Sequence, residues 1–158
     1  MTAQEILTVL KEQFGEAILE SRLDVLQPWI KIAPAKLKKV GFFLRDTASM
    51  QFDFLMSLSG IDYNNGKLGV VYHLSSIPFK HKIVLKAECT KDDPHVQTVS
   101  EVWATANWHE REAFDLFGIV FDEHPDLRRI LLPYDWEGYP LRKDYKTPEF
   151  YNGMKVPY

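Results

Sequence analysis

Cysteine is the scarcest chemistry in this chain: Cys89 is the only one in 158 residues. One thiol makes no internal disulfide, no CxxC redox pair and no iron–sulfur ligand set. This reads as an intracellular chain whose redox role, if any, rests on cofactors held by another protein. Long apolar runs are missing as well. A bilayer span needs ~20 consecutive apolar residues, and the sequence has no such run. The N-terminal stretch, MTAQEILTVLKEQF, has neither the basic n-region nor the long apolar h-region of a secretory signal. Attachment to a membrane is therefore expected to run through partners. There is no excess of positive charge: the formal net charge is −3, which gives no global footprint for nucleic acid. Gly60, Gly66 and Gly69 fit neither GxGxxG nor a P-loop, and no serine sits in GxSxG. HExxH fails because Ala113 stands where the second histidine would be.

What is present suits one packed domain, since 46% of the residues are hydrophobic and 13% aromatic. Ile6, Leu7, Leu10 and Phe14 recur at helical spacing, with Thr2 and Glu5 placed for a capping box and Gly15 as a stop. Residues 17–26 are ambiguous. Trp29, Ile30 and Ile32 predict a short strand, and Pro34 opens a helix with Leu37, Val40, Phe43 and Leu44 inward. Phe54, Leu55 and Leu58 predict a short helix over 52–58. Asn64-Asn65-Gly66 is a hairpin turn, followed by strands over 68–74 and 82–89. Val99, Val102, Trp103 and Ala106 predict another helix, with Thr98 and Glu101 at capping-box spacing, and a further helix runs from Asn107 to Gly118. The order implies an α+β fold, with helices packed on one mixed, largely antiparallel sheet.

Regularity fades after Val120. Pro125, Pro133, Pro140, Pro148 and Pro157 punctuate the remainder, a spacing that helices and central strands tolerate poorly. The division expected is an α+β domain over 1–121 and an extended, irregular C-terminal arm over 122–158.

The densest chemistry lies between Trp108 and Tyr145. Arg111 and Asp115 are four apart and predict an ion pair on one helix, while Glu112 is expected to meet a basic group from the arm. Paired carboxylates stay ionised, which is wrong for a poised general acid at neutral pH. From Asp122 to Lys146 there are five Lys/Arg and six Asp/Glu, a balance that opposes phosphate and suits a protein surface of both signs. A second class stays open: a small hydrolase or metal enzyme using Glu110, Glu112, Asp115 and His124. Cys89, at a strand end, reads as a small core residue.

Three ordered blocks carry a resemblance. They are Glu110-Arg111-Glu112-x-x-Asp115-Leu116-Phe117-Gly118-Ile119, His124-Pro125-Asp126-Leu127-Arg128-Arg129-Ile130-Leu131, and Asp135-Trp136-x-Gly138-x-Pro140-Leu141-Arg142-Lys143-Asp144-Tyr145. The chain closely resembles the C subunit of proton-pumping NADH:quinone oxidoreductase, the thirty-kilodalton subunit family of respiratory complex I. Phe52-Asp53-Phe54-Leu55, Gly60-Ile61-Asp62-Tyr63 and Val71-Tyr72-His73-Leu74 are similar to weaker upstream blocks of that family. The departures are Asp122-Glu123 before His124, where the family often has a Gly, and Lys146, where a Pro is common.

The resemblance implies a non-catalytic scaffold in the peripheral, hydrophilic arm of the complex, on the cytoplasmic side of a bacterial membrane. It implies no cofactor on this chain, with flavin and iron–sulfur clusters in other subunits. The implied partners are the D and B subunits, beside the quinone module. Related energy-converting hydrogenases and ferredoxin-linked complexes use a similar subunit and remain an alternative. The partner-interface candidates are Arg111, Glu112, Asp115, His124, Arg128, Arg129, Trp136, Arg142, Lys143, Asp144 and Tyr145. Among them Arg128, Arg142 and Lys143 are expected to pair with carboxylates, and Trp136 and Tyr145 to serve as apolar anchors.

Overall fold

Thr2 starts the first helix as the sequence predicts: its side chain accepts the Glu5 N–H, and the Glu5 carboxylate accepts the Thr2 N–H. The computed structural model describes residues 1–156. Helix α1 (Ala3–Phe14) ends at Gly15 and buries Ile6, Leu7 and Leu10. Strands β1 (Ile18–Arg22) and β2 (Trp29–Ile32) pair antiparallel, which resolves the ambiguous stretch as a strand. Pro34 opens a short turn leading into α2 (Leu37–Asp46), whose Leu37, Val40 and Leu44 are buried. Strands β3 (Phe54–Asp62), β4 (Lys67–Ser75) and β5 (Lys82–Thr90) then form a meander.

The sheet order is β1-β2-β5-β4-β3, and only β2 and β5 run parallel. It is thus mixed and largely antiparallel. Ile30, Leu85, Val70, Tyr72 and Leu58 share one core with Ile6, Leu10, Val40 and Leu44 from the helices. On the other face Lys31 bridges Glu20 and Glu88, and Lys86 lies 4.1 Å from the centre of the Trp29 ring. The chain is an α+β fold with helices against one face of the sheet.

Two expected helices are corrected. Residues 54–62 are a strand. Leu55 and Leu58 are both buried, three apart, because a bulge between Leu55 and Ser57 inserts a residue against β4. A bulge shifts the two-residue alternation of a strand by one, which imitates one helical turn. The stretch 98–105 is a run of turns. The Thr98 hydroxyl faces Glu110 and Ser100, and is therefore not spent on capping with Glu101. Side-chain bonding of this kind competes with the helix. Val99, Val102 and Trp103 are buried all the same, and Trp103 Nε1 donates to Phe52 O at 2.8 Å.

Strand β6 (His95–Gln97) pairs parallel with β7 (Val120–Asp122), and α3 (Ala106–Phe117) lies between them in sequence. No helix or strand occurs over 123–149; a short ladder of β8 (Phe150–Tyr151) and β9 (Met154–Lys155) follows. Pro125, Pro133, Pro140 and Pro148 fall in that region, while Pro157 and Tyr158 lie outside the described residues. Among the described residues no helix is long and apolar enough to cross a membrane.

Candidate functional site

Helix α3 presents its three carboxylates, Glu110, Glu112 and Asp115, to three different surroundings. Asp115 is fully buried. Its Oδ2 accepts the N–H groups of Ile130, Leu131 and Leu132 at 3.0, 2.7 and 3.0 Å, and its Oδ1 accepts Arg129 Nη1 at 2.8 Å. Burial by itself raises the pKa of Asp115. The Leu132 amide, Arg129 and the other two amides outweigh that and hold the acid below its ordinary range. This carboxylate is an acceptor for three consecutive backbone amides, so it fixes the path of the chain after His124.

The C-terminal end of α3 is completed from the same stretch. The last four carbonyls of a helix have no partner inside it. Here Phe114 O accepts Gly118 N–H, Asp115 O accepts Arg129, Leu116 O accepts Leu141 N–H, and Phe117 O accepts Arg142 Nε. The two arginines add positive charge at the negative end of the helix dipole. They also flank the Tyr139 ring, with guanidinium carbons 5.3 and 4.6 Å from its centre.

Glu110 is buried, and among the described residues no cation is in hydrogen-bonding contact with it. Its oxygens accept the Thr98 hydroxyl and the Val99 N–H, the latter at 2.7 Å. Burial pushes its pKa up to about 7, against the two donors, which lower it. His124 lies 3.8 Å away, with its side chain wholly enclosed. Its Nδ1 is 3.0 Å from the Asp126 backbone nitrogen and its Nε2 is 3.1 Å from Asn107 O. The neutral tautomer with the proton on Nε2 satisfies both. Glu110 is thus a poised acid, contrary to the expectation of paired, ionised carboxylates in this segment. Its signal in the sequence is the core periodicity of α3: Ala106, Glu110 and Ala113 fall on one buried stripe.

The expected Arg111–Asp115 pair does not form. Arg111 is buried, donates to Arg128 O at 3.3 Å, lies 3.9 Å from Asp126 and covers the Trp108 ring. The arm takes both groups, a tertiary choice that helical spacing cannot show. Glu112 is exposed and has no salt bridge among the described residues, so its expected partner from the arm is not there either. Of Glu110, Glu112, Asp115 and His124 only Glu110 and His124 come together, and the four do not converge on one site. Among the described residues no three His, Cys, Asp or Glu side chains are grouped to hold a metal.

In the arm, Arg128 is exposed and pairs with Asp126 at 2.9 Å. Arg142 meets a carbonyl and a ring, not a carboxylate as expected. Lys143 uses its backbone: its N–H donates to Asp62 Oδ2 at 2.8 Å, while its side chain is exposed. Asp144 pairs with Lys91 at 3.1 Å. Trp136 Nε1 donates to Tyr145 OH at 3.1 Å and packs on Tyr151, so Trp136 and Tyr145 anchor each other. Arg129 also donates to Trp136 O and Gly138 O.

Asp62 and Lys91 form a pair that no sequence motif announces. Lys91 Nζ lies 2.9 Å from Asp62, whose other oxygen accepts the Asn64 N–H. Burial opposes ionisation of Asp62, but Lys91 and the Lys143 and Asn64 amides bring it down to about 2. The available signal is an Asp two residues before Asn64, an Asx turn at the mouth of the hairpin. Cys89 is buried, and burial, then Asp93, push its thiol up to about 11, which fits a core residue.

Residues 30–151 match the family described as respiratory-chain NADH dehydrogenase, 30 Kd subunit. The C subunit of NADH-quinone oxidoreductase from Chloroherpeton thalassium is 49% identical over 152 residues, covering 95% of this chain and 63% of that protein. The same-named subunit from Chlorobium phaeobacteroides is 44% identical over 153 residues, covering 95% and 92%. Among solved structures, the trypsin-resistant fragment of Nqo5 superposes with a TM-score of 0.62 at 30% identity, covering 77% of this chain and 98% of that one. A chain of the membrane-bound sulfane sulfur reductase, an archaeal respiratory membrane complex, reaches 0.72 at 23% identity over 90% and 85%, a likeness of fold.

Proposed function

The chain belongs to the family of the 30 kDa subunit of respiratory-chain NADH dehydrogenase, and from that premise we propose that it is a scaffold subunit without chemistry of its own. It sits in the hydrophilic arm of an NADH:quinone oxidoreductase, on the cytoplasmic side of the membrane. It carries no cofactor, and supports electron transfer from NADH to quinone, coupled to proton translocation, by holding neighbouring subunits. Those neighbours are the D and B subunits, and the gripping element is the arm over 122–158. One observation carries the reading: Asp115, Arg111, Arg129 and Arg142 are engaged in holding the arm against α3, so these members of the charged strip have structural tasks. What the arm leaves facing outward is a mixed surface. Arg128 and Lys143 are exposed there, as are Leu131, Leu141 and Tyr134, the last 94% exposed. Aromatic, apolar and cationic groups together are the composition of protein interfaces.

The test is retention in the complex. The full chain, tagged and expressed in its source cells, is expected to co-purify from solubilised membranes with cluster-binding subunits. A chain lacking residues 136–158 is expected not to. Assembly that survives the deletion removes the arm as the grip. NADH-driven quinone reduction by the captured complex separates this reading from an energy-converting hydrogenase or a ferredoxin-linked relative, which would show activity with another donor.

A further inference from the structure

The arm covers the end of α3 but leaves open the edge of the sheet beside it. Strand β3 is the last strand of the five, so among the described residues one side of its backbone has no neighbouring strand. Which groups point that way follows from the ladder. Tyr63 N–H bonds Lys67 O, and the β3–β4 register is continuous from Asp62↔Leu68 back to Ser57↔His73. Antiparallel ladders alternate between residue pairs that exchange both hydrogen bonds and pairs that exchange none. Counting back from Tyr63, Ile61 and Ser59 bond to β4, whereas Gly60 and Leu58 turn N–H and C=O outward.

Those outward groups line a groove. Residues 57–60 make one wall, α3 from His109 to Phe117 makes the other, and Leu141 of the arm adds to the lining; the volume is about 390 Å³. Among the described residues the only carboxylate lining it is Glu112, which has no salt bridge there. The other edge of the sheet is different in kind. β1 has five residues and carries Glu20 and Arg22, charges that protect an edge against added strands. β3 has nine residues, with no Lys, Arg or Pro, and leaves Phe54, Met56 and Ile61 exposed. The bulge between Leu55 and Ser57 interrupts the N-terminal part of this edge, but from Ser57 to Ile61 the register is regular and carries no charge, which makes that stretch a template for another strand.

We propose that this groove takes an extended segment of a partner polypeptide as an added strand on β3, with a basic side chain of that segment against Glu112. The inference rests on the chain being a subunit of a larger assembly. Alternating donors and acceptors on Leu58 and Gly60 call for main chain in the partner. The carboxylate in the opposite wall favours a basic side chain there over an acidic one, and the nearby arginines of this chain's own arm are engaged elsewhere: Arg129 with Asp115, and Arg142 with Phe117 O.

Hydrogen exchange of the Leu58 and Gly60 amides, in the free chain and in the complex purified from membranes, tests this. In the free chain both are expected to exchange as open amides. In the complex they are expected to slow by about 100-fold or more. Glu112→Lys should lower retention of the chain in the complex several-fold while leaving the thermal melt of the free chain unchanged. Amides that stay fast in a complex that does contain the chain overturn the added strand and leave the subunit reading intact. Amides already protected in the free chain also overturn it. Protection insensitive to Glu112→Lys overturns the basic contact. A chain that enters no complex removes both readings together.

Discussion

Removing the Asp115 carboxylate leaves three backbone N–H groups without their acceptor and Arg129 without its counter-ion, though three carbonyls still accept from it. Stranding buried donors and a paired cation is among the costliest of single changes, ~3–5 kcal/mol. Asp115→Ala is therefore expected to lower the stability of the chain by about 3 kcal/mol or more in urea denaturation. The same variant should be cut faster by trypsin after Arg128 and Arg129. Unchanged stability and cleavage would show that the arm is held elsewhere. Glu110 gives the opposite kind of prediction. Its folded pKa is about 7, above the ordinary 4.5, so between those values the folded chain binds the extra proton. Stability from this group is then highest at low pH and falls as pH rises from about 4.5 to 7, by roughly 3 kcal/mol in all. Glu110→Gln keeps an acceptor for Val99 N–H and cannot ionise. The difference in unfolding free energy between the variant and the wild type should grow across that window and level off above it. Parallel pH profiles would remove Glu110 as the source.

At the scale of elements, α3 is finished by residues that lie far along the chain, and its terminal glycine shows how tightly. Gly118 has φ +70°, and a Cβ there would come 2.5 Å from the Tyr139 ring. Gly66, in the hairpin, has φ +81° with nothing within 4 Å. Both positions strain an L side chain, by ~1 kcal/mol. Only Gly118 adds a steric conflict with the arm, worth ~1–3 kcal/mol more. Thermal or denaturant melts of Gly118→Ala and Gly66→Ala should therefore differ, with Gly118→Ala the less stable. Equal losses would mean that Tyr139 moves aside freely. Strand β3 shows the converse, an element whose burial is legible in the sequence while its type is not. A bulge gives its apolar residues the spacing of a helical turn, and only the pairing with β4 tells the two apart.

For the molecule as a whole, folding and gripping draw on the same C-terminal stretch but on different parts of it. Residues 129–145 supply partners to α3, to Asp62 and to Lys91. Residues 147–156 interact with the rest of the arm, through Tyr151 to Asp135 and Trp136. Two truncations separate the roles. Deleting 147–158 is expected to leave the denaturation midpoint close to that of the full chain. Deleting 136–158 exposes the Leu116 and Phe117 carbonyls and frees one partner of Asp62, which should cost about 2–3 kcal/mol. A loss of assembly with the shorter deletion alone would place the grip in the last twelve residues. A shared loss of stability in both would make the arm a single folded unit.

Local rules in the sequence determined the elements that need only neighbours along the chain. Thr2 with Glu5, Gly15, Pro34, Asn64-Asn65-Gly66 and Gly118 mark starts, stops and turns through backbone geometry, and each lies where those rules place it. The strand expected over 82–89 is β5, and the ordered blocks from Glu110 to Tyr145 carry the likeness to the family. Pairing and burial were decided by the tertiary structure. Arg111 and Asp115 have the spacing of an ion pair, yet each is taken by a residue of the arm. Thr98 has the spacing of a cap, yet it serves a glutamate twelve residues on. Glu110 becomes a poised acid because of what encloses it, not because of its neighbours in sequence. A carboxylate or an arginine bonds the best donor or acceptor within about 3 Å, and which group that is depends on how distant segments meet.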